Sequence, residues 1–139
     1  MTFPDVESLI PHRGAHRVVS HVVSCEGLHI VTAGVFSAAD LVGHFPGNPI
    51  VPGVTMVEGL AQSLACLAGL AGERGQAVLT GIEKARFRGI AFAPCTLTFD
   101  VEVTERRLGV TWARGKVMLE GRTLATVNLQ AAVLPPAGE

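Results

Sequence analysis

Charged residues and cysteines are both scarce in this chain, and the two scarcities exclude several functional classes. Only 17% of the 139 residues are charged, the formal net charge is −1, and the basic residues form no dense run. We therefore expect no nucleic-acid-binding surface. The three cysteines, Cys25, Cys66 and Cys95, are scattered, and no Cys-x-x-Cys pair occurs. Together with a start that lacks the basic and apolar segments of a signal peptide, this pattern indicates reduced thiols in a cytoplasmic protein.

Hydrophobic residues make up 48% of the chain, enough for one domain with a sizeable core. We expect a single domain over residues 1–139, with a frayed tail at 135–139. The patterns predict a short leading helix over residues 2–10 and a long helix over residues 53–71. They also predict six strands, over residues 17–24, 28–36, 76–88, 97–105, 109–119 and 122–133. Two strands, one helix and four strands predict an α+β hot-dog fold, in which a curved antiparallel sheet wraps a buried central helix.

The most distinctive stretch of the chain begins as a proline-rich loop. Pro46, Pro49 and Pro52 recur at every third position, and each fixes its own φ and restricts the residue before it. The loop is therefore stiff and cannot be regular structure. It presents one titratable side chain, His44.

The helix that follows, 53–71, has apolar residues on nearly every side, which is typical of a buried helix. Its length would also suffice to cross a bilayer, but Glu58 and Gln62 near its middle argue against a membrane span. A carboxylate in a buried helix is costly unless it is paired or in use. Glu58 and the loop's His44 are thus the parts of an acid–base site.

These residues resemble a known family. The segment 44–54, followed by Glu58 and Gln62, is similar to the signature of FabZ-type (3R)-hydroxyacyl-acyl carrier protein dehydratases, and the resemblance continues in 9–13 and 81–88. It implies a hot-dog enzyme without a cofactor that converts (3R)-hydroxyacyl-acyl carrier protein to the trans-2-enoyl form. The pathway would be fatty acid, polyene or polyketide biosynthesis. The related FabA type has aspartate at the position of Glu58, so the chain looks FabZ-like.

Two segments depart from the family pattern. Residues 14–16 are Gly-Ala-His where the family commonly has Tyr-Pro-Phe, and residues 93–95 are Ala-Pro-Cys where it has a Pro-Gly-Asp turn. Neither departure touches His44 or Glu58. They leave open which acyl chain the site accepts rather than which reaction it performs.

Dehydration needs a base for the C2 proton, an acid for the C3 hydroxyl and a donor for the developing enolate oxygen. His44 is the expected base, and Glu58 is the expected acid, since burial favours the protonated form of a carboxyl. Gly53 at the helix start is the expected oxyanion donor, although the turn alone could require this glycine. Gln62 either orients Glu58 or is a helix-surface residue.

Other polar residues carry weaker indications. His12 and His16 are four apart, which suits a metal only on a helix, so no metal site is expected. Lys84, Arg86 and Arg88 lie close together on one strand and offer a positive surface for an acidic carrier protein, with a solvated face as the open alternative.

The helix geometry predicts a homodimer with shared active sites. Gly53 and Glu58 are five residues apart, so their directions differ by about 140° and one helix cannot turn both toward one substrate. We expect His44 and Gly53 from one chain to face Glu58 from the other, and assembly into a trimer of dimers stays open.

Two other functions are alternatives to the dehydratase. One is a hot-dog thioesterase, a class that lacks the loop histidine, and the other is a non-catalytic acyl-binding subunit of a heteromeric dehydratase.

Overall fold

The structure, a computed structural model, describes residues 2–41, 43–73 and 76–134. It contains a one-turn helix α1 (Val6–Leu9), the long helix α2 (Gly53–Leu70), and strands β1 (His21–Glu26), β2 (His29–Phe36), β3 (Gln76–Phe87), β4 (Cys95–Arg107), β5 (Val110–Leu119) and β6 (Arg122–Leu134). The strands form one antiparallel sheet in the order β1-β2-β4-β5-β6-β3. The sheet curves around α2, so the predicted hot-dog fold is confirmed.

Helix α2 lies very close to the sheet because small residues stand at the contacts. A Cβ atom added to Gly59 would lie 2.3 Å from the ring of Phe99 on β4. On the neighbouring strand, a Cβ atom on Gly115 would lie 2.8 Å from Leu60. Phe99 and Leu60 are fully buried, and burial of such a side chain is worth about 1.5–3 kcal/mol.

A buried polar contact fixes the helix against β2. The hydroxyls of Thr32 and Ser63 lie 2.8 Å apart, and Ser63 Oγ donates to the carbonyl oxygen of Gly59 at 2.7 Å. Neither side chain is exposed to solvent. Because a buried hydroxyl without a partner is costly, this pair favours one position of α2 along the strand.

Strand β3 is an edge of the sheet although it directly follows α2 in the chain. It pairs with β6 alone, and its other backbone edge faces no strand of the described residues. Register shifts interrupt it between Leu79 and Gly81 and again between Glu83 and Arg86. Three of its apolar side chains are exposed: Val78, Ile82 and Phe87.

Most element positions agree with the sequence patterns. The larger differences are in β4, which extends two residues beyond the predicted 97–105 at each end, and at the N-terminal end of the chain. The predicted strand 17–24 is wrong in its first half, because β1 begins at His21 and extends through Glu26. Cys25 pairs with Ile30 and Glu26 with His29 inside the hairpin, so the turn starts at Gly27, two residues later than predicted. Helix α1 is shorter than the predicted 2–10, and the tail 135–139 lies outside the described residues.

Helix α2 is long and apolar enough, by length and composition, to cross a membrane. However, 56% of its residues are buried inside the protein. The core helix of a protein that never enters a bilayer passes the same test, so this finding is weak support for a span.

Candidate functional site

His44 is held by a reciprocal pair of contacts with Ile50 across the proline loop. Its Nδ1 lies 3.0 Å from the carbonyl oxygen of Ile50, and its own carbonyl oxygen accepts from the Ile50 N–H at 2.7 Å. A carbonyl can only accept, so Nδ1 carries the ring proton. The ring also stacks on Phe45, with centroids 4.3 Å apart. Nε2 therefore has a free lone pair in a fixed direction, which is what a general base requires.

The N-terminus of α2 offers free backbone donors close to this loop. The N–H groups of Thr55 and Met56 both return to the Pro52 carbonyl, at 3.0 and 3.2 Å. The N–H groups of Gly53 and Val54 have no backbone acceptor among the described residues. Such donors, together with the helix dipole, favour an anionic oxygen.

The position of Gly53 is explained by close packing rather than by a turn. Its φ is not in the left-handed region, so the backbone does not require glycine. A Cβ atom at this position would instead lie 3.0 Å from the ring of Phe87 on β3. The absence of a side chain therefore lets the helix start and the ring of Phe87 approach each other closely.

Glu58 is not buried within the chain, and the sequence-based expectation of burial is wrong for the single subunit. Its side chain is 46% exposed. It lines an open depression together with Ala15, His16, Val18, Val54 and Thr55. The helix is apolar on this face, but the chain's own sheet does not cover it, since Val54 is 77% exposed.

Gln62 is fully buried and uses all of its hydrogen-bonding capacity. Its Nε2 donates to the His16 carbonyl at 2.6 Å and to Glu58 Oε1 at 3.0 Å. Its Oε1 accepts from the backbone N–H groups of Val18 and Val19, at 2.8 and 3.2 Å. Gln62 is therefore not a surface residue. It ties the segment before β1 to Glu58, and these bonds explain why residues 18 and 19 are not paired in the sheet.

Within one chain the structure brings Glu58 and Gln62 together but does not add His44. Among the described residues, the lining of the depression around Glu58 includes neither His44 nor Gly53. Gly53 lies instead at the start of α2, against Phe87 on the edge strand β3, and His44 lies in the loop before it.

His12 is a neighbour of Glu58, although the sequence pattern indicated it only as a candidate metal ligand. Its Nε2 lies 3.6 Å from Glu58 Oε1, and its Nδ1 is buried with no hydrogen-bond partner in the described structure. The signal that could have found it is its place in the Pro-His-Arg segment of the family resemblance. No group of three metal-ligating side chains comes together in residues 2–41, 43–73 and 76–134.

The cysteines do not form part of the site. Cys66 lies in α2 without solvent exposure, and burial raises the pKa of its thiol to about 12. Burial also raises the pKa of the Cys25 and Cys95 thiols. Because the thiolate is the reactive form, none of the three is an activated nucleophile.

The proposed docking residues lie on an irregular part of the edge strand. Lys84 sits in the second bulge with φ 51°, and Arg88 follows the strand, its N–H bonded to the Leu124 carbonyl at 2.7 Å. The alternation that would place Lys84 and Arg86 by simple counting is therefore broken. All three basic side chains are exposed, and none pairs with a carboxylate of the described residues.

Comparison with known proteins identifies the family. The model of the FabA-like domain matches residues 39–128. The 3-hydroxyacyl-[acyl-carrier-protein] dehydratase FabZ of Alkaliphilus metalliredigens is 36% identical over 95% of this chain and 93% of the relative. The FabZ of Erythrobacter litoralis is 37% identical, over 91% and 89%.

Solved structures share the fold at low identity. The dehydratase heterocomplex ApeI:P from Xenorhabdus doucetiae contains a chain that is similar with a TM-score of 0.85 and 16% identity, covering 99% of this chain and 95% of that one. The PaaI protein of E. coli gives a TM-score of 0.66 at 18% identity, covering 81% of each chain. The chain belongs to the FabA-like family, and its relatives from Alkaliphilus metalliredigens and Erythrobacter litoralis are FabZ dehydratases.

Proposed function

We propose that the protein dehydrates (3R)-3-hydroxyacyl thioesters carried on the phosphopantetheine of acyl carrier protein, yielding the trans-2-enoyl product in fatty acid or related biosynthesis. The FabZ relatives are named for this reaction and are similar over nearly the whole chain. The structural observation that carries the proposal is the bond from His44 Nδ1 to the Ile50 carbonyl, which leaves Nε2 as a fixed base. The reaction needs no electron-carrying cofactor, because elimination of water is redox-neutral.

In the proposed elimination, each proton and each electron pair is transferred to a named group. Nε2 of His44 takes the proton from C2, while the backbone N–H groups at Gly53 and Val54 stabilise the negative charge that develops on the thioester oxygen. The electron pair of the C2–H bond becomes the C2=C3 double bond. The C3–O bond breaks, and the departing oxygen takes the proton of Glu58 and leaves as water. His44 ends protonated and Glu58 ends as the carboxylate.

We further propose that two chains form a homodimer and share each site, with Glu58 of one chain facing His44 and Gly53 of the other. The support is the open depression around Glu58 and the separate location of the loop within one chain. The unpaired edge of β3, with exposed apolar side chains such as Ile82 and Phe87, provides a surface that a second copy would cover.

We include assembly of three such dimers into a trimer of dimers in the proposal as an alternative to the isolated dimer. A cytoplasmic location belongs to the same proposal, and the three free cysteines support it.

The decisive experiment incubates the purified protein alone with a 3-hydroxyacyl carrier protein and follows the acyl group by mass spectrometry. We expect loss of one water without release of the carrier thiol. The matched control is the same acyl carrier protein without the 3-hydroxyl, which should remain unchanged. Release of free thiol from both substrates would identify a thioesterase instead. No reaction by the protein alone, followed by activity with a second hot-dog chain, would identify a subunit of a heteromeric dehydratase.

A further inference from the structure

The environment of His12 assigns this residue a part in the site. The imidazole is partly buried, with 24% of its side chain exposed, and Nε2 faces Glu58 Oε1 at 3.6 Å. Its other nitrogen, Nδ1, is buried without a hydrogen-bond partner among the described residues. A buried polar atom without a partner is rare and costly, so its retention calls for an explanation.

The segment that carries His12 is held firmly over α2. The guanidinium of Arg13 donates to the carbonyl oxygens of Glu7, Ile10 and His12, at 2.7, 2.7 and 2.8 Å. Further along, Gln62 binds the His16 carbonyl at 2.6 Å. With both sides tied down, the ring of His12 has little freedom to turn away from Glu58.

The contacts decide which nitrogen of His12 carries the proton. If Nδ1 were protonated, the lone pair of Nε2 would point at the carboxylate oxygen, and a buried N–H would also lack an acceptor. With the proton on Nε2, the ring donates toward Glu58. A distance of 3.6 Å is too long for a hydrogen bond, but such bonds are often long before substrate binds and shorten in the complex.

Both donors next to Glu58 face the same oxygen. Gln62 Nε2 lies 3.0 Å from Oε1, and His12 Nε2 approaches that atom too. No hydrogen bond reaches Oε2 from the described residues. Two donors on Oε1 disfavour a proton there and direct it to Oε2.

We propose that His12 is a positioning residue that, together with Gln62, fixes the carboxyl of Glu58 so that Oε2 carries the proton delivered to the leaving hydroxyl. The ring does not relay protons, because Nδ1 has no path of partners to solvent. This inference rests on the proposed dehydration, and it adds a residue whose effect is exerted through Glu58.

Steady-state kinetics with 3-hydroxyacyl carrier protein test the proposal. His12→Ala should lower kcat about tenfold and change KM less than about twofold, since only orientation of the acid is lost. His12→Gln, whose amide can donate from a similar position, should recover most of the rate. The matched control is His21→Ala, an exposed histidine on β1, which should have no effect. An unchanged kcat in His12→Ala, or a His12→Gln variant as slow as His12→Ala while both remain folded, would overturn the proposal.

A second measurement does not depend on turnover. In protein labelled with ¹⁵N-histidine, the His12 signals are assigned by their loss in His12→Gln. We expect protonation at Nε2 and a clear change of these signals in Glu58→Ala, but not in His21→Ala. Protonation at Nδ1, or no response to Glu58→Ala, would refute the contact. Failure of wild-type turnover alone would instead count against the proposed reaction, because the His12 signals would still report the pair.

Discussion

Gln62 donates a hydrogen bond to Glu58 one turn earlier on α2, over 3.0 Å, and its remaining three bonds go to the backbone before β1. Replacement of Gln62 by leucine would leave the half-buried N–H group of Val18 and the buried N–H group of Val19 without acceptors. Each such loss costs about 1–3 kcal/mol, so Gln62→Leu should lower the free energy of unfolding by about 2–6 kcal/mol in urea denaturation. Gln130→Leu, a half-exposed glutamine on β6, is the control and should stay within about 0.5 kcal/mol. Equal effects of the two changes would contradict the assigned network.

His44 and Glu58 should each be essential for turnover. General acid–base groups contribute about 10²–10⁴-fold, so His44→Ala and Glu58→Gln should lower kcat by that range. Circular dichroism and thermal unfolding would verify that both variants are folded, and His21→Ala would serve as the unaffected control. If a folded variant keeps more than about a tenth of the wild-type rate, the replaced residue does not have the proposed role.

The sequence predicts the central helix and the hairpins well because they depend on local patterns. The apolar spacing after Pro52 places α2 to within one residue of its observed end, and Glu120-Gly121 marks the turn between β5 and β6. The hot-dog arrangement follows from the order of these elements. The proline loop likewise identifies His44 as the titratable group that it presents, since prolines exclude regular structure locally.

The parts that the sequence could not supply depend on contacts between distant residues. The start of β1 is displaced because the Gln62 side chain, more than forty residues away, takes the N–H groups of Val18 and Val19. The proximity of His12 to Glu58 arises from the same packing of the leading segment on α2. The composition of an apolar helix face does not show whether the sheet of the same chain covers that face. The exposure of Glu58 could therefore not be predicted from the sequence.

The cysteines should be nearly inert in the folded protein. With a pKa of about 12, only about one Cys66 thiol in 10⁴ is a thiolate at pH 8. Iodoacetamide should therefore modify Cys66 only after unfolding, as followed by peptide mass spectrometry. Cys25 and Cys95, which are half-buried with raised pKa values, should react slowly at neutral pH and faster as pH rises. Rapid labelling of Cys66 in native protein would contradict its buried position.

The basic residues at the end of β3 should affect binding of the carrier protein rather than the chemical step. Arg86→Glu combined with Arg88→Glu should raise KM for a carrier-bound substrate about three- to tenfold, because carrier proteins are acidic. The same variant should leave KM for a small pantetheine thioester unchanged. Arg114→Glu with Lys116→Glu makes an equal charge change on β5 and is the matched control. Equal losses on both substrates, or equal losses in the control, would refute docking at Arg86 and Arg88.

A shared site makes a distinctive prediction about mixed dimers. His44→Ala and Glu58→Ala homodimers should each be inactive, because every site lacks one group. After equal amounts are unfolded and refolded together, about half of the dimers should contain one chain of each kind. In such a dimer one site has lost both groups, whereas the other combines the intact His44 of one chain with the intact Glu58 of its partner.

Co-refolding should therefore restore roughly a quarter of the wild-type sites, measured as kcat per chain with 3-hydroxyacyl carrier protein. Mixing without unfolding should restore activity only as fast as subunits exchange, and this rate provides an internal control. Exchange itself can be followed by native mass spectrometry of chains that differ in isotope content. If both groups acted within one chain, every site in the mixture would carry one lesion, because each chain lacks either the base or the acid. Inactive mixtures in which mixed dimers are demonstrably present would rule out the shared site and place His44 and Glu58 in the same subunit.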